Sequence, residues 1–537
     1  MTPNTAIEFL IWLLIVSSII AVLASRLRIP YTVALVIGGL VLGSLHRLPI
    51  LQIVTERERP NWLTPNIVLI LFLPPLLFEG SIKIQLQALK RNLVPILLLA
   101  NVGVLVATLI TGFAIHWVFG LSLMVALLFG SIISATDPIS VLSIFDETGV
   151  AKRLSTIVEG ESLFNDGTAV VLFGILVEGI ATGHLNVATG IAQFVVVVLG
   201  AAALGAFLGY LASEITRRID EPRIEITLTT ILAYSAYLLA QNLHLSGVIA
   251  TVAAGLIVGN IGARSGMSPR TRVALWSFWE YAAFVINSLL FLLIGLQVRI
   301  GDLLRSWQAT LLAIGAVLIG RALSVYALTP VSNLFAQKIP LAWQHVLVWG
   351  GLRGALALAL ALSLESTVPY RSELLTWTFG VVAFSIIVQG LTIKPLLGLL
   401  GVKGTAEGEY ERARVRQLAL SSARAELDNL RGCRALSAPL YARLRQELEG
   451  SLARAESEIE ELYLKDASRA EDELRTARVQ LSAAERETIQ RALRDGLISA
   501  ATAANMIEAV DEQIERLGER QAKQADDRAE VPEKQTG

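Results

Sequence analysis

Residues 128–145 read LFGSIISATDPISVLSIF, an apolar run interrupted at its middle by Thr136-Asp137-Pro138. Proline lacks a backbone donor and disfavours the helical region for the residue before it. A helix through this run must therefore break near Thr136-Asp137. At membrane depth a break is tolerated only where it lines a cavity or is buried in protein. It leaves free carbonyls on one half-helix and free N–H groups on the other, and discontinuous helices of this kind form ion sites near the bilayer midplane.

The next apolar segment carries VEGESLFNDGTAV at 158–170. Ser162 and Asp166 are four apart and share one helix face, while Glu161 and Asn165 share a neighbouring one. Ser162 and Asp166 can then look into a cavity while Glu161 turns towards a partner. Further charges sit in apolar surroundings: Glu79 in LFLPPLLFEG, Glu280, Arg321 in LIGRALSVY and Arg353 in WGGLRGALAL. Each is costly in lipid and marks a pathway or a partner pair. Arg321 and Arg353 are the embedded cations, so a Glu161–Arg321 pair is the natural proposal. A carboxyl group in a poorly hydrated cavity resists ionisation. It holds a proton, or loses it and binds a small hard cation through oxygen, and the two ligands compete for one site. No Cys or His cluster suggests a transition metal. His46, His116, His184, His244 and His345 fall near span ends.

The composition divides the chain into a membrane part, residues 1–403, and a charged soluble segment, residues 404–537. The 537 residues are 54% hydrophobic and 17% charged, with a mean hydropathy of +0.59. A soluble protein carries about 25% charged residues. Residues 1–403 hold 24 Lys/Arg and 19 Asp/Glu, whereas 404–537 hold 21 and 27. One cysteine, Cys433, excludes a disulfide scaffold. The absence of a basic block argues against a nucleic-acid partner. The first apolar run lacks a signal peptide's basic region and is long enough to span. Thirteen segments qualify as spans: 5–24, 29–45, 63–82, 93–118, 121–145, 155–178, 187–212, 225–243, 246–261, 272–297, 305–328, 341–362 and 372–400. Loops after the odd-numbered segments carry 14 Lys/Arg and the opposite loops six. The positive-inside rule then puts the amino terminus outside and the tail in the cytoplasm. Glycines four apart (Gly39/Gly43, Gly205/Gly209, Gly255/Gly259, Gly350/Gly354) suit close helix packing in lipid. Residues 404–523 read as a cytoplasmic helical domain with breaks near Gly432, Gly450 and Gly496 and a stripe at Leu440, Leu444, Leu448 and Leu452. Residues 524–537 read as disordered.

In this order, FLPPLLFEG, ATDP, GESLFNDG, VINSLLFLLIG, GRA at 320–322 and GGLRGA at 350–355 are specific. Over residues 5–400 the chain resembles the monovalent cation/proton antiporters, in the branch of bacterial sodium/proton antiporters and animal and plant sodium/proton exchangers. The resemblance implies an all-α polytopic fold of about thirteen transmembrane helices, with inverted repeats, a core domain and a dimerisation domain. It implies two broken helices that cross, the second near Gly350–Gly354, and a homodimer whose core moves like an elevator. By resemblance Asp166 carries the proton and the cation, and Glu79, Thr136, Asp137 and Ser162 are the other cation ligands. Asn165 supports the broken helices, Glu161 and Arg321 form a structural ion pair, and Arg353 is a second core arginine linked to pH response. The Asn165-Asp166 pair implies electroneutral exchange, one cation for one proton. Asn287 stands where animal exchangers have glutamate, so their inhibitor and regulatory features do not carry over.

The expectation is thus a secondary transporter rather than an enzyme, exchanging Na+ or Li+ for H+ across the cell membrane. No cofactor is expected, and the partners are the ions and membrane lipid. K+/H+ exchange by the same fold is the alternative, since the residues do not fix cavity geometry. From a different class, a channel or sensor with the tail as output domain also needs a carboxylate cluster. A hydrolase using Ser162 lacks the second glycine of its elbow and an adjacent histidine.

Overall fold

The structure, a computed structural model, describes residues 3–27, 30–44, 65–183, 187–219, 221–263, 267–297, 300–365, 367–402, 406–432 and 436–464, with a few positions between 485 and 506. Among these residues there are helices and no strands. The chain divides into two compact units, Met1–Thr405 and Ala406–Gly537.

The first unit is built from α1 (Pro3–Leu27), α2 (Tyr31–Ser44), α3 (Pro65–Lys83), α4 (Leu93–Phe119), α5 (Leu123–Ser134), α6 (Ile139–Thr148) and α7 (Lys152–Thr182). It continues with α8 (Val187–Thr216), α9 (Pro222–Asn242), α10 (Gly247–Ile257), α11 (Pro269–Gln297), α12 (Trp307–Phe335), α13 (Leu341–Trp349), α14 (Ala355–Ser363) and α15 (Arg371–Leu399). Among the described residues eight helices are long and apolar enough to cross a bilayer, and three shorter ones are apolar as well. Every one of the thirteen expected segments falls on a helix or on two half-helices. Segment 121–145 is the pair α5 and α6, and segment 341–362 is the pair α13 and α14. By contrast α3 runs unbroken through Pro74 and Pro75. Gly149 and Gly183 end α6 and α7 with φ of +71° and +73°, where a side chain would be strained.

Among the described residues three helices widen into a π turn: α4 at Leu98–Gly103, the end of α10 at Val258–Gly262 and α15 at Ser385–Gln389. Each presents a polar side chain to a neighbour. Asn101 accepts from Thr168 of α7 at 3.0 Å, and Asn260 ties the turn after α3 through Ile84 and Leu86. Ser385 and Gln389 reach the interruption between α13 and α14.

Small residues set the closest crossings. A Cβ on Gly39 or Gly295 would strike the backbone of the other's helix, α11 or α2. One on Gly205 would strike α10, and one on Gly259 would strike α3 at Ile82. Without water to expel between helices, such backbone approach is what dispersion can use. Gly350 and Gly354, by contrast, lie in the interruption of the second broken helix. Helix α3 packs on α9, α10, α11 and α14, and α7 packs on α4 and α5.

The second unit contains α16 (Ala406–Gly432) and α17 (Ala438–Leu464), which pack as a hairpin. Ala413 and Leu427 are buried on α16, and Ala455 and Ile459 on α17. Leu444, Leu448 and Leu452 lie half-buried on the same side, while Leu440 is exposed. Near the turn Tyr441 donates to Asp428 at 2.6 Å and lies under the Arg431 guanidinium. The break expected at Gly450 is absent, because α17 continues through it. A glycine inside a helix costs about 1 kcal/mol, which the buried stripe outweighs. Gly496 and residues 524–537 lie outside the described residues.

Candidate functional site

Helix α5 ends at Ser134, and Ala135 turns to extended backbone, φ −60° and ψ 135°. Helix α6 begins after Pro138. The residues between, with those at 350–354, form two non-helical stretches that face each other. The Asp137 N–H donates to the Leu352 carbonyl at 2.7 Å. The Arg353 guanidinium, buried, donates to the Ser134 carbonyl at 2.7 Å and reaches the Ala135 carbonyl at 3.4 Å. Helix ends leave carbonyls without partners, and a cation there also meets the negative end of the helix dipole. Arg353, expected as a second core arginine, is thus a cap on α5. Its own N–H donates to Ser385 Oγ at 2.7 Å, and Gln389 donates to the Trp349 carbonyl at 3.1 Å. The π turn of α15 therefore holds the second interruption from behind.

Asn165, fully buried, holds the first one. Its Nδ2 donates to Thr136 Oγ1 at 2.6 Å, and its Oδ1 accepts from the Thr136 N–H at 3.4 Å. Ser162 Oγ donates to the Thr136 carbonyl. One Asp137 oxygen accepts the Ile139 N–H at 3.0 Å and so caps α6, and the carboxyl lies against Gly354. Asp166 differs from all of these. Its Oδ1 is buried and has no hydrogen-bond partner among the described residues. Buried polar atoms are nearly always satisfied, so this one asks for a ligand.

Thr136, Asp137, Ser162, Asp166 and Glu79 all line one cavity of about 550 Å³. Glu161 does not. It forms a two-pronged ion pair with Arg321, which also donates to the Leu347 carbonyl at 2.8 Å. Both partners are buried. The division of faces along α7 is the one the i, i+4 spacing requires: Ser162 and Asp166 to the cavity, Glu161 to α12. Glu79 is placed with the cluster but is engaged by Lys83, at 2.7 Å.

The outer part of this cavity includes Glu280, expected from its apolar surroundings, and also Lys83, Asp146 and Tyr31, which the sequence pattern did not single out. Lys83, Asp146 and Glu280 line it and are exposed, and Tyr31 and Asn287 line it as well. Glu159 also lines it, two turns before Asp166 on α7, about 10 Å along the helix. Lys83 is one of the 14 bases of the loops after the odd-numbered segments. Its place four residues after Glu79 was the available signal.

The chain matches the family profile described as sodium/hydrogen exchanger, transmembrane, over residues 13–399. It is 44% identical over 399 residues to the Na(+)/H(+) antiporter NhaG of Bacillus atrophaeus, covering 73% of this chain and 74% of that one. It is 40% identical over 400 residues to the Na(+)/H(+) antiporter NhaH of Halobacillus dabanensis, covering 74% of this chain and 98% of that one. Its fold is similar to that of the sodium proton antiporter MjNhaP1 from Methanocaldococcus jannaschii, with a TM-score of 0.62 at 22% identity, covering 75% of this chain and 99% of that one.

Proposed function

From the premise that this chain belongs to the sodium/hydrogen exchanger family, we propose that it is a multi-pass membrane antiporter exchanging Na+ for H+ with Asp166 as the shared carrier. The single observation that carries the assignment of Asp166 is its buried, unpartnered oxygen at the deep end of an acidic cavity, beside two interrupted helices. Protonated, the carboxyl is neutral and needs no counter-ion. Ionised, it attracts a cation to oxygens that Thr136, Asp137, Ser162 and Glu79 supply around the same cavity. One group serving both ligands in turn couples their fluxes. Exchange of one Na+ for one H+ moves no net charge and is indifferent to a membrane potential worth about 2.3 kcal/mol per charge at 100 mV. Na+ and H+ are cargo, and the reading requires no resident cofactor.

At the exposed end of the cavity, Lys83 and Asp146 lie in the last turns of α3 and α6, close in sequence to the basic residues Lys90/Arg91 and Lys152/Arg153, and Glu280 lies three turns into α11, whose first turn carries Arg270/Arg272. Under the positive-inside rule this end faces the cytoplasm, with the amino terminus outside. The cell membrane is the location that this reading gives, and a homodimer, as the family resemblance implies, is the assembly. Arg353 and Asn165 are positioning residues on this reading, holding the broken helices whose shape the site needs.

The test is cation-dependent collapse of a preset pH gradient in inverted vesicles, followed with a pH-sensitive dye. Na+ and Li+ should collapse it, and Asp166→Asn should abolish the response while the protein inserts and purifies as the wild type does. Retained exchange in that variant removes Asp166 as carrier. No response to any alkali cation sinks the antiport reading, and a response to K+ alone moves the cargo to K+.

A further inference from the structure

Lys83 occupies the last turn of α3, one turn beyond Glu79, with Nζ 2.7 Å from Oε1. Both side chains line the cavity that holds Asp166, and among the described residues lining it Lys83 is the one lysine or arginine. Two more carboxylates line the same cavity from neighbouring elements, Glu280 of α11 and Glu159 of α7. Lys83 thus stands exposed in the cavity that also holds the buried Asp166, carrying the same charge as a metal cation. An ammonium is a compact charge on a flexible stem. The pair is part-exposed, at 39% and 20%, and such pairs are weak and open readily.

We propose that Lys83 determines the apparent affinity for the transported cation. It is a tethered cation that occupies Glu79 while the site holds no metal ion and is displaced when one enters. Each entering Na+ must compete with it, so half-saturation lies at a higher concentration than the carboxylates alone would give. When the ion leaves, Lys83 takes Glu79 back, which favours release. The proposal rests on the reading of Glu79 as a cation ligand.

The experiment measures the Na+ concentration for half-maximal exchange in proteoliposomes of the full chain at fixed pH, for Lys83→Gln, Lys83→Arg, Glu79→Gln and the double variant. Lys83→Gln should lower half-saturation about 1.5- to fivefold, the range a weak ion pair allows. Lys83→Arg, which keeps the cation, should restore the wild-type value. Glu79→Gln should raise half-saturation, and adding Lys83→Gln to it should change nothing further. An unchanged or raised value in Lys83→Gln overturns the proposal. An equal fall in both backgrounds also overturns it, since general charge screening would then account for the effect. If Glu79→Gln leaves half-saturation untouched, the reading of Glu79 fails, and the proposal with it. Should a variant transport too poorly to titrate, the rise in melting temperature with added NaCl reads the same affinity. There Lys83→Gln should respond at lower NaCl than the wild type, and no shift in that response overturns the proposal.

Discussion

Asp137 is fixed by contacts from two interrupted helices at once. Its N–H is given to Leu352, its carboxylate caps α6 through Ile139, and Gly354 leaves the space its carboxyl fills. A Cβ built on Gly354 falls on the Asp137 side chain. Gly354→Ala should therefore push Asp137 off the α6 cap, costing about 1–3 kcal/mol and raising half-saturation for Na+. Gly174→Ala, on α7 with nothing within 4 Å of the new methyl, should match or exceed wild-type stability, by up to about 1 kcal/mol of helix propensity, and serves as the control. Detergent melting curves and Na+ titrations decide it, and a wild-type result for Gly354→Ala would show that the site tolerates a moved Asp137. Much of this site was legible at the residue scale. Proline marks the first break, and helical spacing separates Asp166 from Glu161. Lys83 and Asp146 were not, because a charge near a helix end looks the same in sequence whether it faces solvent or lines a cavity mouth. The contact of Gly354 with Asp137 joins positions far apart in the chain, so no local pattern announces it.

Between elements, buried charge ties the two halves of the chain. Glu161 on α7 and Arg321 on α12 are both buried, and Arg321 also holds the last turn of α13 through Leu347. Removing one member of a buried pair strands the other, at a cost of about 3–5 kcal/mol. Arg321→Ala should lower the melting temperature in detergent markedly, and Glu161→Gln with Arg321→Gln should recover part of the loss, since no lone charge remains. An unchanged melting temperature in Arg321→Ala would mean that Glu161 finds another partner or a proton. The partner choice followed from there being two embedded arginines, of which Arg321 is taken by Glu161 and Arg353 by the α5 carbonyls. The π turns were not legible. A π turn adds one residue to a helix without changing its composition, and apolar periodicity does not resolve such a shift. Yet Ser385 and Gln389, which such a turn presents, hold the second broken helix, and that break carries no proline of its own. Its glycines allow it, and its contacts with Arg353, Ser385 and Asp137 define it.

At the scale of the whole molecule, the boundary in charge composition near residue 403 is also the boundary between two compact units. Everything placed around the cavity, from Tyr31 to Ala359, belongs to the first. The family profile ends at residue 399. A relative such as NhaH of Halobacillus dabanensis is matched over 98% of its own length by 74% of this chain, so antiporters of this family exist with little beyond the first unit. The second unit meanwhile has its own buried stripe and its own polar contacts at the hairpin turn, which it needs if it folds without borrowing from the membrane helices. Deleting residues 404–537 should therefore leave Na+-dependent collapse of the pH gradient and its half-saturation in place, with any change appearing in the pH profile of the rate. The measurement is the same vesicle titration, run across pH on full-length and shortened protein inserted to equal levels. Loss of exchange in a well-inserted shortened chain would mean that the tail takes part in the transport cycle itself. A shifted pH profile at constant half-saturation would instead make it a modulator acting on an engine that the membrane unit contains whole.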